Sequence, residues 1–353
     1  IAVCANNDLS KVNNVVMGGF ITEAYAAKGW YSKVFTYLAQ GTYTIGSNNA
    51  NILVQDRASG SVIEEKMPVY IRLGIRLLYQ SSRVQRSVES NSIKNILKRL
   101  SVQQGAKYNS PSSVKDIPSF IEFHKLDTDE ILDPLDSFKS FNEFFYRKLK
   151  PGARTLASPS DPTVAVAPAD ARTSAFQTVT DATTLWIKGR SFTLAKVLQD
   201  EAMAEYFDGG SVLISRLAPQ DYHRFHFPVD GVVGKTTDVS GAYFTVNPMA
   251  IRSAVDVYGE NKRTVTYVES EQFGRIAYVC VGAMMVGSIV LTSKEGQRIS
   301  RMDEHGYFAF GGSTILVIFK KGAVQFDADL VKNSERNLET LVRIGDSVGR
   351  KTV

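Results

Sequence analysis

Beyond residue 158 the chain is a succession of short apolar runs separated by turn residues, and this pattern restricts its second half to a β-rich fold. Ser211–Ser215, Val229–Val233, Tyr243–Val246, Thr264–Val268, Ile276–Val281, Tyr307–Phe310 and Ile315–Phe319 are each four to six residues long and lie between Gly, Asp-Gly or Asn-Pro turns. Their β-branched and aromatic content suits a pleated surface better than a helix. From about Met67 to Lys150 the apolar spacing is helical instead, and Pro151-Gly152 ends it in the way helices are usually ended. Pro159, Pro162 and Pro168 then mark a boundary. A chain of 353 residues exceeds the roughly 250–300 residues a single core supports. The expectation is therefore an α+β protein, a helical N-terminal half followed by a β-rich domain that carries the chemistry. It divides into a partly irregular extension (1–66), a helical basic region (67–157) and a β-rich core (158–353).

Charge is concentrated rather than spread. Arg72, Arg76, Arg83, Arg86, Lys94, Lys98 and Arg99 face Glu89 alone over that stretch, whereas the whole chain has 41 cations against 36 anions. Ile71, Ile75 and Leu78, and then Ile93, Ile96, Leu97 and Leu100, form apolar stripes beside those cations. Such a segment fits an anionic membrane surface, or else packs its stripe on the protein's own core. Nucleic acid is not expected, because the aromatic–basic interleaving of RNA-binding surfaces is missing. The stretch Ile276–Ser293 runs 18 residues without a charge, which is the lower edge of a membrane span. Gly282, Gly287 and its β-branched residues favour two buried strands around a turn instead. Cys4 and Cys280 are the only cysteines, and Asp127-Thr128-Asp129-Glu130 lacks the glycine of an EF-hand loop. No disulfide framework, cysteine-based zinc site or other metal requirement is expected.

Three segments can hold chemistry. The first, Asp221-Tyr222-His223-Arg224-Phe225-His226-Phe227-Pro228, carries two of the four histidines, and histidine is the usual acid–base group near neutral pH. Read alone, both could equally be buried structural residues. The second is Phe310-Gly311-Gly312-Ser313-Thr314-Ile315. A Gly-Gly pair between apolar strands ordinarily reads as a hairpin turn, yet its freedom in φ and ψ also leaves the Gly312 carbonyl open to the neighbouring Ser313 hydroxyl. The third places Asp170 after the apolar run Val164–Ala167 and Pro168, where a turn aspartate would be ordinary. Serine, histidine and aspartate are thus available, but a triad is recognised by geometry and not by order. The G-x-S-x-G elbow of α/β-hydrolases is missing.

Taken in order, FNEFFYRKLKPGAR, VAPADAR, APQDYHRFHFPVDG, YFTVNP, YGENKR, VCVGAMMVGS and GYFAFGGSTILVIFKKGAV resemble the phosphatidylserine decarboxylase family over roughly residues 50–350. Ala50–Tyr79 is similar to the extramitochondrial eukaryotic branch, type II, whose members commonly carry upstream C2 and EF-hand-like regions. Neither is visible here, as expected of a start at Ile1 that lacks upstream sequence. The resemblance implies autocatalytic cleavage between Gly312 and Ser313, giving a β chain of residues 1–312 and an α chain of 313–353. Ser313 becomes a pyruvoyl group, the electron sink for converting phosphatidylserine to phosphatidylethanolamine and CO2. By the same resemblance His226 takes the Ser313 proton, Asp170 orients His226, and His223 serves the later protonation.

Tyr222, Phe225 and Phe227 are candidates for a hydrophobic substrate wall, with Val246 and Asn247 as a further part of the pocket. Implied partners are phosphatidylserine, an anionic membrane surface, and the α and β chains of the one precursor; a homodimer is compatible. The implied location is peripheral on the endomembrane system, Golgi- or endosome-like, in preference to the mitochondrial inner membrane. A soluble amino-acid decarboxylase of the same family and a non-catalytic anionic-lipid-binding protein are the alternatives. Ala171, Thr173, Met302 and His305 depart from the residues usual in close relatives. None removes a proposed catalytic group, and His305 reads as an exposed turn histidine.

Overall fold

The computed structural model describes residues 52–65, 91–189, 192–283, 288–309, 311 and 313–352. Its strands, in chain order, are β1 (Leu53–Asp56), β2 (Val62–Glu64), β3 (Val164–Val166), β4 (Ala171–Phe176), β5 (Ser211–Leu217) and β6 (Arg224–His226). They continue with β7 (Gly231–Val239), β8 (Arg263–Ser270), β9 (Gly274–Gly282), β10 (Ile289–Leu291) and β11 (Arg298–Ile299). The last are β12 (Glu304–Phe308), β13 (Ser313–Phe319), β14 (Val324–Phe326), β15 (Glu339–Val342) and β16 (Ser347–Lys351). One sheet has ten strands in the order β11-β7-β8-β9-β13-β5-β4-β15-β1-β2. Two further sheets have three strands each, β10-β12-β6 and β14-β16-β3. The large sheet is antiparallel except where β1 runs parallel to β15.

Strand β13 lies in the interior of the large sheet and is paired along its whole length with β5 and β9. All seven of its residues are buried, which is why its sequence, STILVIF, runs apolar without polar alternation. Successive side chains still point to opposite faces, and the two faces meet different partners. Leu316 and Ile318 join a core with Leu97, Tyr108, Phe120, Phe141, Phe144 and Phe145 from the helical region. Ile315, Val317 and Phe319 join a second core with Phe225, Phe227 and Phe308 of the β10-β12-β6 side and Phe326 and Val348 of the third sheet. The large sheet is thus the middle layer, helices on one face and small sheets on the other.

The helical region contains helices Asn91–Asn109, Ile117–His124 and Phe141–Phe145. The last is short but firmly started. Ser140 Oγ accepts Glu143 N at 3.2 Å and the Glu143 carboxylate accepts Lys139 N at 2.7 Å, a reciprocal N-terminal cap. That helix delivers Phe141, Phe144 and Phe145, each at most 1% exposed, to the core. Of the cationic stripe, residues 66–90 lie outside the described residues; Lys94 pairs with Glu260 at 3.0 Å and Leu97 is buried.

Several expectations change shape. The part of the N-terminal extension that is described, residues 52–65, contributes β1 and β2 to the edge of the large sheet. The Tyr243–Val246 run is not a strand: the Asn261 side chain takes both backbone groups of Phe244, accepting N–H at 2.9 Å and donating to the carbonyl at 2.8 Å. A side-chain amide there stands where a neighbouring strand would be. Within the 18-residue charge-free stretch, β9 and β10 form as strands, but in different sheets. Among the described residues, no helix is long and apolar enough to cross a membrane.

Candidate active site

The Gly-Gly segment is not a hairpin turn. It leads from β12 in a small sheet to β13 in the large one, two strands that do not pair. Phe310 and Gly312 lie outside the described residues, but Gly311 has φ 129°, a conformation open to glycine and costly for other residues. Ser313 opens β13 opposite Leu217 and Gly282. It is fully buried, and among the described residues its Oγ has no hydrogen-bond partner. An unsatisfied buried hydroxyl is unfavourable in a stable core and is what a reaction-ready nucleophile looks like.

The histidine segment meets the Gly311 backbone through His223, and among the described residues neither imidazole hydrogen-bonds Ser313. His223 is fully buried and its Nδ1 lies 2.9 Å from the Asp221 carbonyl. A carbonyl only accepts, so Nδ1 carries the proton and Nε2 keeps its lone pair. Nε2 forms no hydrogen bond of normal geometry, yet the Gly311 backbone is close enough to favour the protonated ring. Burial, with Arg147 and Arg172 nearby, outweighs this and lowers the His223 pKa to about 3. His226 has the same tautomer, with Nδ1 2.7 Å from the Met302 carbonyl and Nε2 unpartnered. Burial lowers its pKa too, but Glu304 and Asp170 act in the opposite direction. Met302 takes φ 71° to present that carbonyl, a left-handed conformation ordinarily given to glycine. A glycine would take this conformation without strain, and nothing in the structure explains the methionine.

Asp170 is placed differently from expectation. Among the described residues no hydrogen bond joins it to His226. Arg154 grips the carboxylate through Nε at 3.0 Å and Nη2 at 2.5 Å, and Ile344 N donates at 2.9 Å. Met302 fixes the His226 ring, while Asp170 acts on it through space.

The substrate-wall candidates separate. Tyr222 stays at the site, its ring 6.0 Å from that of His226. Phe225 and Phe227 instead pack in the second core against Tyr278, with His305 between them. Val246 is in the first core, and Asn247 caps the helix Pro248–Ile251 by accepting Met249 N. His305 is not an exposed turn residue. It is fully buried in β12, 4.5 Å from the Phe227 ring, with Nδ1 2.7 Å from Ser293 Oγ; burial lowers its pKa to about 3. Ala171 and Thr173 are buried in β4, where Thr173 Oγ1 meets Ser215 Oγ at 3.1 Å and disturbs no site group.

Sequence reasoning missed the groups that support these histidines. Phe145 stacks on the His223 ring with centroids 3.9 Å apart. Asp221, which holds His223 through its carbonyl, places its carboxylate against Arg172. Arg172 also meets Glu65 at 3.2 Å, Glu65 meets Arg216 at 2.7 Å, and Arg216 meets Glu339 at 2.5 Å. This buried chain of charges runs from the β1–β2 hairpin to the histidine loop, and Arg216 lies opposite Thr314, next to Ser313. Phe145 and Asp221 both fall inside segments that carry the family resemblance, so the signal was present but not assigned to a contact.

Comparison with known proteins gives a consistent result. The family described as phosphatidylserine decarboxylase matches residues 141–350. The chain is 51% identical over 352 residues to phosphatidylserine decarboxylase proenzyme 2 of Komagataella phaffii, covering 99% of this chain and 35% of that protein. It is 49% identical over 351 residues to proenzyme 3 of Schizosaccharomyces pombe, covering 99% and 36%. A proenzyme of Chlamydia muridarum is 39% identical over 299 residues, covering 85% of this chain and 97% of that one. The chain thus spans about a third of the length of the yeast relatives it matches.

Proposed function

The chain belongs to the phosphatidylserine decarboxylase family, and from that premise we propose that it cleaves itself between Gly312 and Ser313 and then converts phosphatidylserine to phosphatidylethanolamine and CO2. The observation that carries this reading is Ser313 itself: buried, unpartnered, and at the head of a fully paired strand after a glycine linker between two sheets.

In the first stage Ser313 Oγ attacks the Gly312 carbonyl, and the peptide bond becomes an ester. Loss of the Ser313 α-proton then expels the Gly312 carboxylate. The dehydroalanine left at residue 313 takes up water, releases ammonia and becomes pyruvoyl. His226 is the better base for the serine proton. A base must hold the proton it takes; burial opposes this at both rings and backbone carbonyls favour it at both, but Glu304 and Asp170 favour charged His226 against Arg224, whereas Arg147 and Arg172 both oppose charged His223. Asp170 contributes charge, and the Met302 carbonyl contributes orientation. The buried, water-poor surroundings of Ser313 strengthen each of these interactions.

The pyruvoyl group derived from Ser313 supplies the electron sink for loss of CO2. His223, beside the Gly311 backbone, stands next to the new terminus, where it can deliver a proton to the substrate carbon. Tyr222 and Phe145 flank the two imidazoles and limit water. Phosphatidylserine as substrate calls for contact with an anionic membrane. The cationic segment Arg72–Arg99 suits a peripheral association with endomembranes, and a homodimer is compatible with it.

The test is CO2 release from phosphatidylserine in mixed micelles by the mature protein. Release from phosphatidylserine but not from free serine or tryptophan supports the reading. Release from a free amino acid alone would select a soluble decarboxylase, and vesicle binding by an intact, inactive chain would select a lipid-binding protein.

A further inference from the structure

Arg147 is a buried cation whose charge acts on His223 but whose hydrogen-bonding groups the chemistry above leaves unused. It is 7% exposed, and among the described residues its one hydrogen bond is from Nη2 to the Gln220 carbonyl at 3.3 Å. Nε and Nη1 have no partner among the described residues. Among the described residues no carboxylate forms an ion pair with it. The two nearby acids are already taken, Asp170 by Arg154 and Asp221 by Arg172. The Phe144 ring lies 5.2 Å beneath the guanidinium, so one face is apolar. Burying a charge without a partner costs several kcal/mol, and here burial lowers the Arg147 pKa to about 10 even though both carboxylates act to raise it. Its position is not incidental. Phe145, two residues before it, stacks on His223, and its carbonyl partner Gln220 begins the histidine loop.

We propose that Arg147 anchors the substrate headgroup by donating from its unpaired guanidinium N–H groups to the phosphodiester oxyanion, an inference that rests on the decarboxylase reading. The guanidinium is a planar cation whose Nε–H and Nη1–H groups have no acceptor among the described residues, so it can donate to an oxyanion brought beside it. The substrate has two anions, and their fates differ. The carboxylate loses its charge as CO2 forms, so a cation fixed on it would stabilise the ground state more than the transition state and slow the step. The phosphodiester keeps its charge from substrate to product, so binding it costs no rate. Arg147 therefore sets specificity for phosphate-bearing serine over free serine.

The experiment compares the unaltered protein with Arg147→Gln and Arg147→Lys. Each is first checked by intact mass for cleavage and then assayed with short-chain phosphatidylserine in detergent. Dihexanoylphosphatidylglycerol, a phosphodiester without an amine, serves as inhibitor, and dihexanoylglycerol as its neutral control. The expected result is normal cleavage, a KM raised about thirtyfold or more in Arg147→Gln, the loss expected for a buried charge-assisted contact, and a smaller change in kcat. Inhibition by the phosphodiester is lost with it, and Arg147→Lys falls between. A fall in kcat at constant KM, an unchanged KM, or equal inhibition of both proteins would overturn the proposal. If Arg147→Gln does not mature, the unaltered protein decides: failure of the phosphodiester to inhibit it more than the neutral control would be equally fatal. Were the unaltered protein to release no CO2 from phosphatidylserine, the decarboxylase reading itself would fail, and calorimetric titration of the phosphodiester would test Arg147 separately.

Discussion

Glu65 offers a quantitative test of how the N-terminal hairpin supports the site. It follows β2, is buried, and meets Arg216 at 2.7 Å and Arg172 at 3.2 Å. Those cations hold its pKa at about 2, below the ordinary value of 4.5, against the burial that would raise it. At about 1.4 kcal/mol per pH unit, that difference is worth about 3 kcal/mol. It agrees with the roughly 3–5 kcal/mol lost when one member of a buried ion pair is removed. Glu65→Gln keeps the shape and removes the charge. With an unfolding entropy of about 2.1 cal/mol/K per residue over 353 residues, the melting temperature should fall by about 4 °C. The pH dependence has a definite sign. The folded-state pKa is depressed, so the Glu65 contribution is complete above pH 4.5 and disappears as pH falls toward 2. The gap between unaltered and variant proteins, followed by circular dichroism melts, should therefore be full at pH 7 and shrink to under half by about pH 3. A variant melting within about 1 °C of the unaltered protein at pH 7, or a gap constant with pH, would refute the buried charge chain.

The buried histidines give a second pH window with the opposite origin. His223 and His305 are held near 3 in the folded chain and His226 is also lowered, so only the unfolded state gains protons below about pH 6.5. Each of the first two should cost about 2 kcal/mol by pH 5, seen as a falling urea midpoint between pH 6.5 and 5 that a His305→Phe variant makes shallower. The two site histidines should separate by stage. His226→Gln is expected to slow appearance of the cleaved fragments by about 10²–10⁴-fold, while His223→Gln matures but loses decarboxylation. Equal effects on both stages would contradict the division of roles.

Much of the architecture was legible because the signals were local. The apolar run Ile315–Phe319 inside β13 could be read from β-branched content alone, whereas Pro151-Gly152 did not mark a helix end: the last helix of that region stops at Phe145, and Leu149 is bridged to Ile131. What could not be read was which element packs on which. Tyr243–Val246 has strand composition but is held by one side-chain amide from Asn261. His305 looked like a turn residue because nothing nearby in sequence reveals the Phe225, Phe227 and Tyr278 rings that enclose it. Ser313, His223 and His226 stood out by residue type and order. Their supports, Phe145 on His223, Met302 on His226 and Arg154 on Asp170, come from 16 to 78 residues away in sequence and follow no spacing rule.

The central claim is that Ser313 is both nucleophile and precursor of the reactive group, and intact mass under denaturing conditions tests it most directly. The account predicts two fragments, the smaller being residues 313–353 with an N-terminus blocked by pyruvoyl, and an uncut chain for Ser313→Ala. A single 38.9 kDa chain that keeps an unmodified Ser313 on prolonged incubation would contradict it.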